Sequence, residues 1–205
     1  MFVGRILWWL LNLPFRLARP GRRGYRKGRP FPVRVVAVQD GDSLLVRPAS
    51  SGDRQIRVRL YGIDAPEHDQ DYGREARDRL NSLVRGTAEL TLEPRDTDRY
   101  GRLVGVLYFR SSGRQHSINR VMVEEGLARW YSRYGGRELG LDGAEQNARR
   151  ARRGIWASGR QVAPWEHRRA QRRASASPGL LKVLLLATAI SVVAVVAFYL
   201  ARQAL

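Results

Sequence analysis

Cysteine is absent from the 205-residue sequence, which excludes a disulfide framework, a thiolate metal site and a cysteine nucleophile while leaving the compartment open. Histidine occurs only three times, and with no thiolate beside it this argues against zinc. Acidic residues are missing from positions 1–39, where nine Arg or Lys stand, and a single acid faces six basic residues in 161–205. Residues 40–160 hold 22 basic and 18 acidic side chains, so most of the net charge of +18 belongs to the two ends. Basic tails beside apolar segments point first to anionic lipid or membrane topology. The mildly basic centre still has arginines enough to meet phosphate. The length allows one domain of about 100–150 residues with appendages.

One long hydrophobic run is present. Val183 to Ala201 form 19 consecutive uncharged residues rich in Leu, Val, Ile and Ala, after a basic stretch (Arg168, Arg169, Arg172, Arg173) and Lys182, which can snorkel. That length suffices to cross a bilayer. The N-terminal apolar stretch Ile6–Phe15 is only ten residues long, carries Asn12 and Pro14, and is too short to span. It has no small-x-small cleavage site, and seven of the fourteen residues after Phe15 are basic, which opposes export. The expected role is an interfacial anchor with Trp8 and Trp9 at headgroup depth. A mitochondrial presequence is the rival reading, weakened by the absence of serine from residues 1–39. The Gly- and Pro-rich stretch Ala18–Pro32 reads as a linker.

Between the tails, short alternating runs predict strands at Val33–Gln39, Leu44–Arg47, Gln55–Tyr61, Ala88–Glu93 and Leu103–Phe109. Asp40-Gly41-Asp42-Ser43 is a hairpin turn, and Arg95–Gly101 a second turn. Apolar residues at Ala76, Leu80, Leu83 and Val84 make Tyr72–Arg85 an amphipathic helix. Further helices are expected at Ile118–Glu125 and Gly143–Arg153, the latter closed by Gly154 and followed by Ile155 and Trp156 as a core plug. Five strands and three helices in this order define an α+β fold, mainly β, built on a five-stranded Greek-key barrel of which the OB-fold is the common case. The expected organisation is an apolar and basic segment with linker at 1–32, a barrel domain at 33–160, a basic linker at 161–179 and a transmembrane helix at 180–201.

Hydrolysing a phosphodiester requires neutralised charge around phosphorus, an activated water and help for the leaving oxygen. Asp42 in the first turn and Asp64 just after the third strand are carboxylates that can converge at one barrel end, a hard-oxygen site for Ca²⁺ or Mg²⁺. Glu67, beyond Pro66, can take a proton from the attacking water. Arg59 alternates away from the apolar face of its strand, and Arg102 follows Tyr100-Gly101; each can give paired N–H bonds to phosphate oxygens. Taken singly, each of these residues is also an ordinary turn, loop or strand-surface position. The set carries the argument.

The same residues resemble the staphylococcal nuclease-like (thermonuclease) family. The resemblance covers Val33 to Ala157 and rests on Asp40-Gly41-Asp42-Ser43, Arg57-Val58-Arg59-Leu60, Ile63-Asp64-Ala65-Pro66-Glu67, Tyr72-Gly73-Arg74-Glu75-Ala76, Asp98-Arg99-Tyr100-Gly101-Arg102, Asn119, Gly126-Leu127-Ala128 and Gly154-Ile155-Trp156. It implies an OB-fold barrel that binds Ca²⁺ and cleaves DNA and RNA to 5′-hydroxyl and 3′-phosphate ends. By position it makes Asp42 and Asp64 calcium ligands together with the main-chain carbonyl of Ala65, Glu67 the general base, and Arg59 and Arg102 the phosphate-binding catalytic residues. Arg99, Tyr100 and Tyr134 become substrate-binding candidates. Ser43 and Ala65 stand where the founding member has threonine, and Ser132 replaces a pocket tyrosine. Trp130 or Tyr131 offers a stacking surface worth roughly 1–3 kcal/mol per base, or Trp130 is core.

The resulting expectation is a nuclease tethered to a membrane, with DNA and/or RNA and the lipid bilayer as partners and no protein partner implied. The competing expectation is an inactive nucleic-acid-binding or adaptor module, since fold alone does not establish activity. Basic residues before the terminal run place the barrel on the cytoplasmic side. A mitochondrial membrane or an extracytoplasmic face is the alternative, because a weak oxygen-ligand site is mostly empty in calcium-poor cytosol.

Overall fold

The computed structural model describes residues 25–50, 52–159, 162–175, 184–192 and 199. Strand β1 (Phe31–Asp40) turns through Gly41-Asp42 into β2 (Ser43–Pro48), pairing Asp40 with Ser43. Two register shifts in β1, between Val35 and Ala37 and between Val38 and Asp40, bend the strand as a barrel requires. Alternation then sets β3 (Ile56–Leu60): Ile56, Val58 and Leu60 enter the core, and Arg57 and Arg59 face outward. β5 (Leu90–Thr97) pairs with β1 through Val33–Leu90, and with β6 (Leu103–Ser111) along most of its length. A parallel pairing of β3 with β6, Val58 to Leu103 and Leu60 to Gly105, closes the sheet. The order β1-β2-β3-β6-β5-β1 is the five-stranded OB topology. β7 (Arg114–Ser117) extends β6 as a hairpin, and β4 (Ile63–Asp64) pairs with β8 (Arg129–Trp130) outside the barrel.

Helix α1 (Gly73–Arg85) buries Ala76, Leu80 and Val84 on one stripe, with Leu83 half-buried beside it. α2 (Ile118–Glu124) starts at Ser117, whose hydroxyl accepts from the Arg120 amide at 3.3 Å. α3 (Leu141–Arg150) buries Leu141, Ala144 and Ala148. Leu44, Leu60, Leu92, Leu107, Met122 and Ile155 are among the fully buried side chains of the interior.

One buried polar side chain holds the barrel seam. Asn119 Oδ1 accepts from the Leu107 amide at 3.0 Å, while Nδ2 donates to the carbonyls of Tyr61 (2.9 Å) and Gly105 (3.3 Å). It thereby ties α2 to the strands where the sheet closes. Below the seam Gly126 (φ 72°) and Gly154 (φ 52°) cross in contact, with Ile155 N donating to Gly126 O at 2.9 Å. A Cβ on either would strike the other segment's carbonyl, so both motif glycines are required by close approach.

Several expectations are corrected. β5 runs on to Thr97, so the second turn is confined to residues 98–102, and β1 begins at Phe31 inside the expected linker. α3 starts two residues earlier than the pattern suggests and ends at Arg150. Residues 164–175, expected as linker, form a helix, α4 (Pro164–Ser175). Among the described residues no helix is long and apolar enough to cross a membrane. Residues 184–192 are helical and exposed; the rest of the Val183–Ala201 run and the whole 1–24 segment lie outside the described residues.

Candidate active site

Asp42 reaches one end of the barrel from the β1–β2 turn, Arg59 from the end of β3, and Asp64 from β4. Asp42 is 3% exposed and Asp64 fully buried, and the Arg59 guanidinium lies between them. It donates to Asp42 Oδ1 at 3.2 Å, lies 3.0 Å from Asp42 Oδ2, and donates to Asp64 Oδ1. Ser43 Oγ donates to Asp42 Oδ1 at 2.8 Å and the Ala65 amide to Asp42 Oδ2 at 3.3 Å. Such a cluster folds because the charges are desolvated together and paired.

The electrostatics are divided between the two carboxylates. Burial works to raise Asp42, but Arg59, Ser43 and the Ala65 amide outweigh it and hold the group below its usual range. Burial, reinforced by the charge of Asp42, leaves Asp64 above its usual range despite the arginines beside it. Asp40, which accepts from the Asp42 amide at 3.1 Å, is pushed up to about 7 by burial and by Asp42. Burial alone would lower the Arg59 guanidinium, yet Asp42 and Asp64 raise it, so it stays charged.

Glu67 stands on the loop before α1, its amide held by Gln70 Oε1 at 3.0 Å, with its side chain 32% exposed. Arg102 follows the β5–β6 turn. Its Nε donates to Asp98 Oδ2 at 2.7 Å and its Nη1 reaches Ser43 Oγ at 3.5 Å, adjacent to Asp42. Asp98 is pulled two ways: burial raises it, and bonds from Arg102 more than offset that and leave it low.

Tyr100 is 54% exposed, with Arg99 on its ring face at 4.8 Å and bonded to its hydroxyl at 2.7 Å. Hydrogen bonds from Arg99 and then Arg172 lower this phenol. Tyr134, 62% exposed, lies 4.9 Å from Tyr131, which stacks on Trp165 at 5.0 Å. Trp130 packs against the core, and its indole N–H donates to Gly135 O at 2.8 Å. Of the two aromatic candidates for base stacking, only Tyr131, itself half-buried, joins the cluster that includes the exposed Tyr134.

Two groups at the site were not read from the sequence. Arg168 of α4 donates to Asp64 Oδ1 (3.0 Å) and Oδ2 (2.7 Å) and to Glu67 Oε1. The available signal was the helix-forming composition after Pro164, masked by its resemblance to a basic tail. Asp40 belonged to a recognised motif but carried no assigned role. A cavity of 540 Å³ lies elsewhere, between β1 and α1, and none of these residues lines it.

The donor set suits a hard divalent cation. Buried carboxylates Asp42 and Asp64 repel one another, offer only oxygen, and are oriented by bonds from Ser43, Arg59 and the Ala65 amide. Among the described residues no group of three or more His, Asp or Glu side chains is placed to hold a metal. Buried carboxylates and arginines gathered at one end of an OB-fold barrel suit the class of phosphodiester-cleaving enzymes.

Comparison with known proteins specifies the class. The family described as Staphylococcal nuclease homologue matches residues 57–158. A micrococcal nuclease of Shigella flexneri is 40% identical over 153 residues, 71% of this chain and 84% of that protein. An uncharacterized endonuclease of Escherichia coli O157:H7 is 38% identical over 132 residues, 64% of this chain and 81% of that protein. An uncharacterized endonuclease of Haemophilus influenzae is 34% identical over 139 residues, 68% and 74% of the two chains. The chain belongs to the staphylococcal nuclease homologue family and is a nuclease.

Proposed function

We propose that this nuclease is membrane-anchored and calcium-dependent, hydrolysing DNA and/or RNA to 3′-phosphate and 5′-hydroxyl ends. The observation that carries the catalytic part is the convergence of Asp42, Arg59, Asp64 and Glu67 at one barrel end, with Arg102 touching Ser43. Asp42, Asp64 and the Ala65 carbonyl would hold Ca²⁺, which when bound neutralises phosphate charge and draws water into the site. Glu67 accepts the proton of the attacking water as its oxygen bonds to phosphorus. Arg59 and Arg102 donate to the non-bridging oxygens, where negative charge grows in the transition state. The bond from phosphorus to the 5′ oxygen breaks, that oxygen takes a proton from solvent, and phosphate stays on the 3′ side. Arg99, Tyr100 and Tyr134 flank this centre as sites for phosphate and base.

Anchoring is supported by the 19-residue uncharged run Val183–Ala201 and its basic flank, which also favour a cytoplasmic nuclease domain. The full chain, incubated with single-stranded DNA and RNA oligonucleotides, should cleave with Ca²⁺ and stop with chelator. Glu67→Gln should lower the rate by about 10²–10⁴-fold. Cleavage unchanged by Glu67→Gln would overturn the assignment of the base. In sealed membranes, protease added outside should spare the barrel if it faces inward.

A further inference from the structure

We propose that α4 is a built-in latch: Arg168 sits on the cation's carboxylate and on the base, so the metal-free nuclease is closed until a divalent cation displaces it. This rests on the metal reading above and assigns a regulation to the same site. One guanidinium spans both functions, with Nη2 on the two oxygens of Asp64 (3.0 and 2.7 Å) and Nη1 on Glu67. A cation bound through Asp64 and a guanidinium on those same oxygens compete for one negative charge and one volume. Glu67 held by Arg168 cannot receive a proton from water on the same lone pair.

The rest of the helix covers the flanks. Trp165, Arg168 and Arg172 fall at i, i+3 and i+7, one helical face. Trp165 stacks on Tyr131 at 5.0 Å beside Tyr134, and Arg172, two turns along the same face, is near enough to the Tyr100 phenol to help lower it. The helix thus lies over the metal seat and both candidate substrate surfaces. Its other attachments are polar and peripheral: His167 and Gln171 meet Asp69 at 3.0 and 2.8 Å, and Gln70 donates to Val162 O at 3.1 Å. Among residues 165–173 of α4 no side chain is fully buried. Apart from Trp165 stacked on Tyr131 and Arg168 paired with Asp64 and Glu67, these contacts are exposed and polar, and such contacts open at low free-energy cost, as a gate must.

The test uses the full chain in detergent micelles, as parent, Arg168→Gln and Arg169→Gln, the last an exposed neighbour serving as control. Terbium luminescence and calorimetric Ca²⁺ titration read metal binding without reference to cleavage. If the closed state holds about nine molecules in ten, Arg168→Gln should bind metal about tenfold more tightly, with Arg169→Gln unchanged. Amide exchange of residues 164–175 should quicken in the parent on adding Ca²⁺, and in Arg168→Gln without any metal. Equal metal affinity in parent and Arg168→Gln, or exchange in α4 indifferent to both, would overturn the latch. Faster exchange in Arg168→Gln with no metal bound by any of the three proteins would instead overturn the calcium reading, and the latch as a cation gate with it.

Discussion

Asn119→Leu tests whether one side chain locks the barrel seam. Leucine has as many side-chain heavy atoms as asparagine and a larger volume, so no cavity opens and the cost falls on hydrogen bonds with some overpacking. Asn119 is fully buried, and three bonds are lost. They are unequal. The Gly105 carbonyl still accepts from the Tyr61 amide at 2.8 Å, so its loss is minor. The Leu107 amide and the Tyr61 carbonyl lose these partners in a dry interior, at about 1–3 kcal/mol each. The expected destabilisation is about 2–6 kcal/mol, a fall of roughly 4–24 °C in Tm for a chain of this size. Thermal unfolding of the full chain in micelles, followed by near-ultraviolet circular dichroism with chelator present, measures it. Asn119→Ala should be worse, since it adds a cavity. A shift under 2 °C in Asn119→Leu would refute the argument that this amide closes β3 on β6.

Three further substitutions probe the site itself. Arg59→Gln removes the cation between Asp42 and Asp64 and should destabilise the chelated protein by about 3–5 kcal/mol; Ca²⁺ should restore part of that loss in a denaturant titration. Gly41→Ala places a Cβ 2.6 Å from that of Ala76 and 2.7 Å from that of Ala65. Overpacking there should cost about 1–3 kcal/mol and weaken calcium binding, because Ala65 must move. Asp98 is held low by Arg102 against the effect of burial, so its contribution to stability is present above the ordinary carboxylate pKa near 3.8 and lost as pH falls through the lower folded value. Asp98→Asn should therefore show a shallower loss of Tm below pH 4 than the parent, while already being less stable at pH 7.

The parts of the molecule legible in the sequence are those whose cause is local. Ile56, Val58 and Leu60 alternate because one face of β3 is the core, and that period alone sends Arg59 to the site. The α1 stripe and the Gly126 and Gly154 motifs are equally local, in that sterics fix the residue type. The end of β5 was hidden for a different reason. Pro94 and the charged residues after it resemble a turn, yet Pro94 pairs with Gly105, and a register shift follows before Asp96. Arg95 there lies 5.5 Å from the Tyr61 ring, a contact a polar strand face makes only through a tertiary neighbour. α4 was hidden most completely. Its partners Asp64, Glu67, Asp69 and Tyr131 lie some 34–104 residues away, and nothing in a run of arginines says which carboxylates they will meet.

That separation distinguishes the two arginines on Asp64. Arg59 belongs to a strand paired on both sides, between β2 and β6, and is 18% exposed, so its backbone is fixed beside the carboxylates. Arg168 is 31% exposed on a helix whose outer face is in water, and its guanidinium leaves by rotating a side chain or lifting α4. Burial makes Asp64 costly to leave without a positive neighbour, so the fold must supply charge whether or not metal is present. Arg59 alone must serve Asp42 as well, and the charge of Asp42 still raises Asp64. A second cation at Asp64 offsets part of the cost of burying it beside Asp42, and the arrangement allows a mobile guanidinium to do so in one state and a divalent ion in the other.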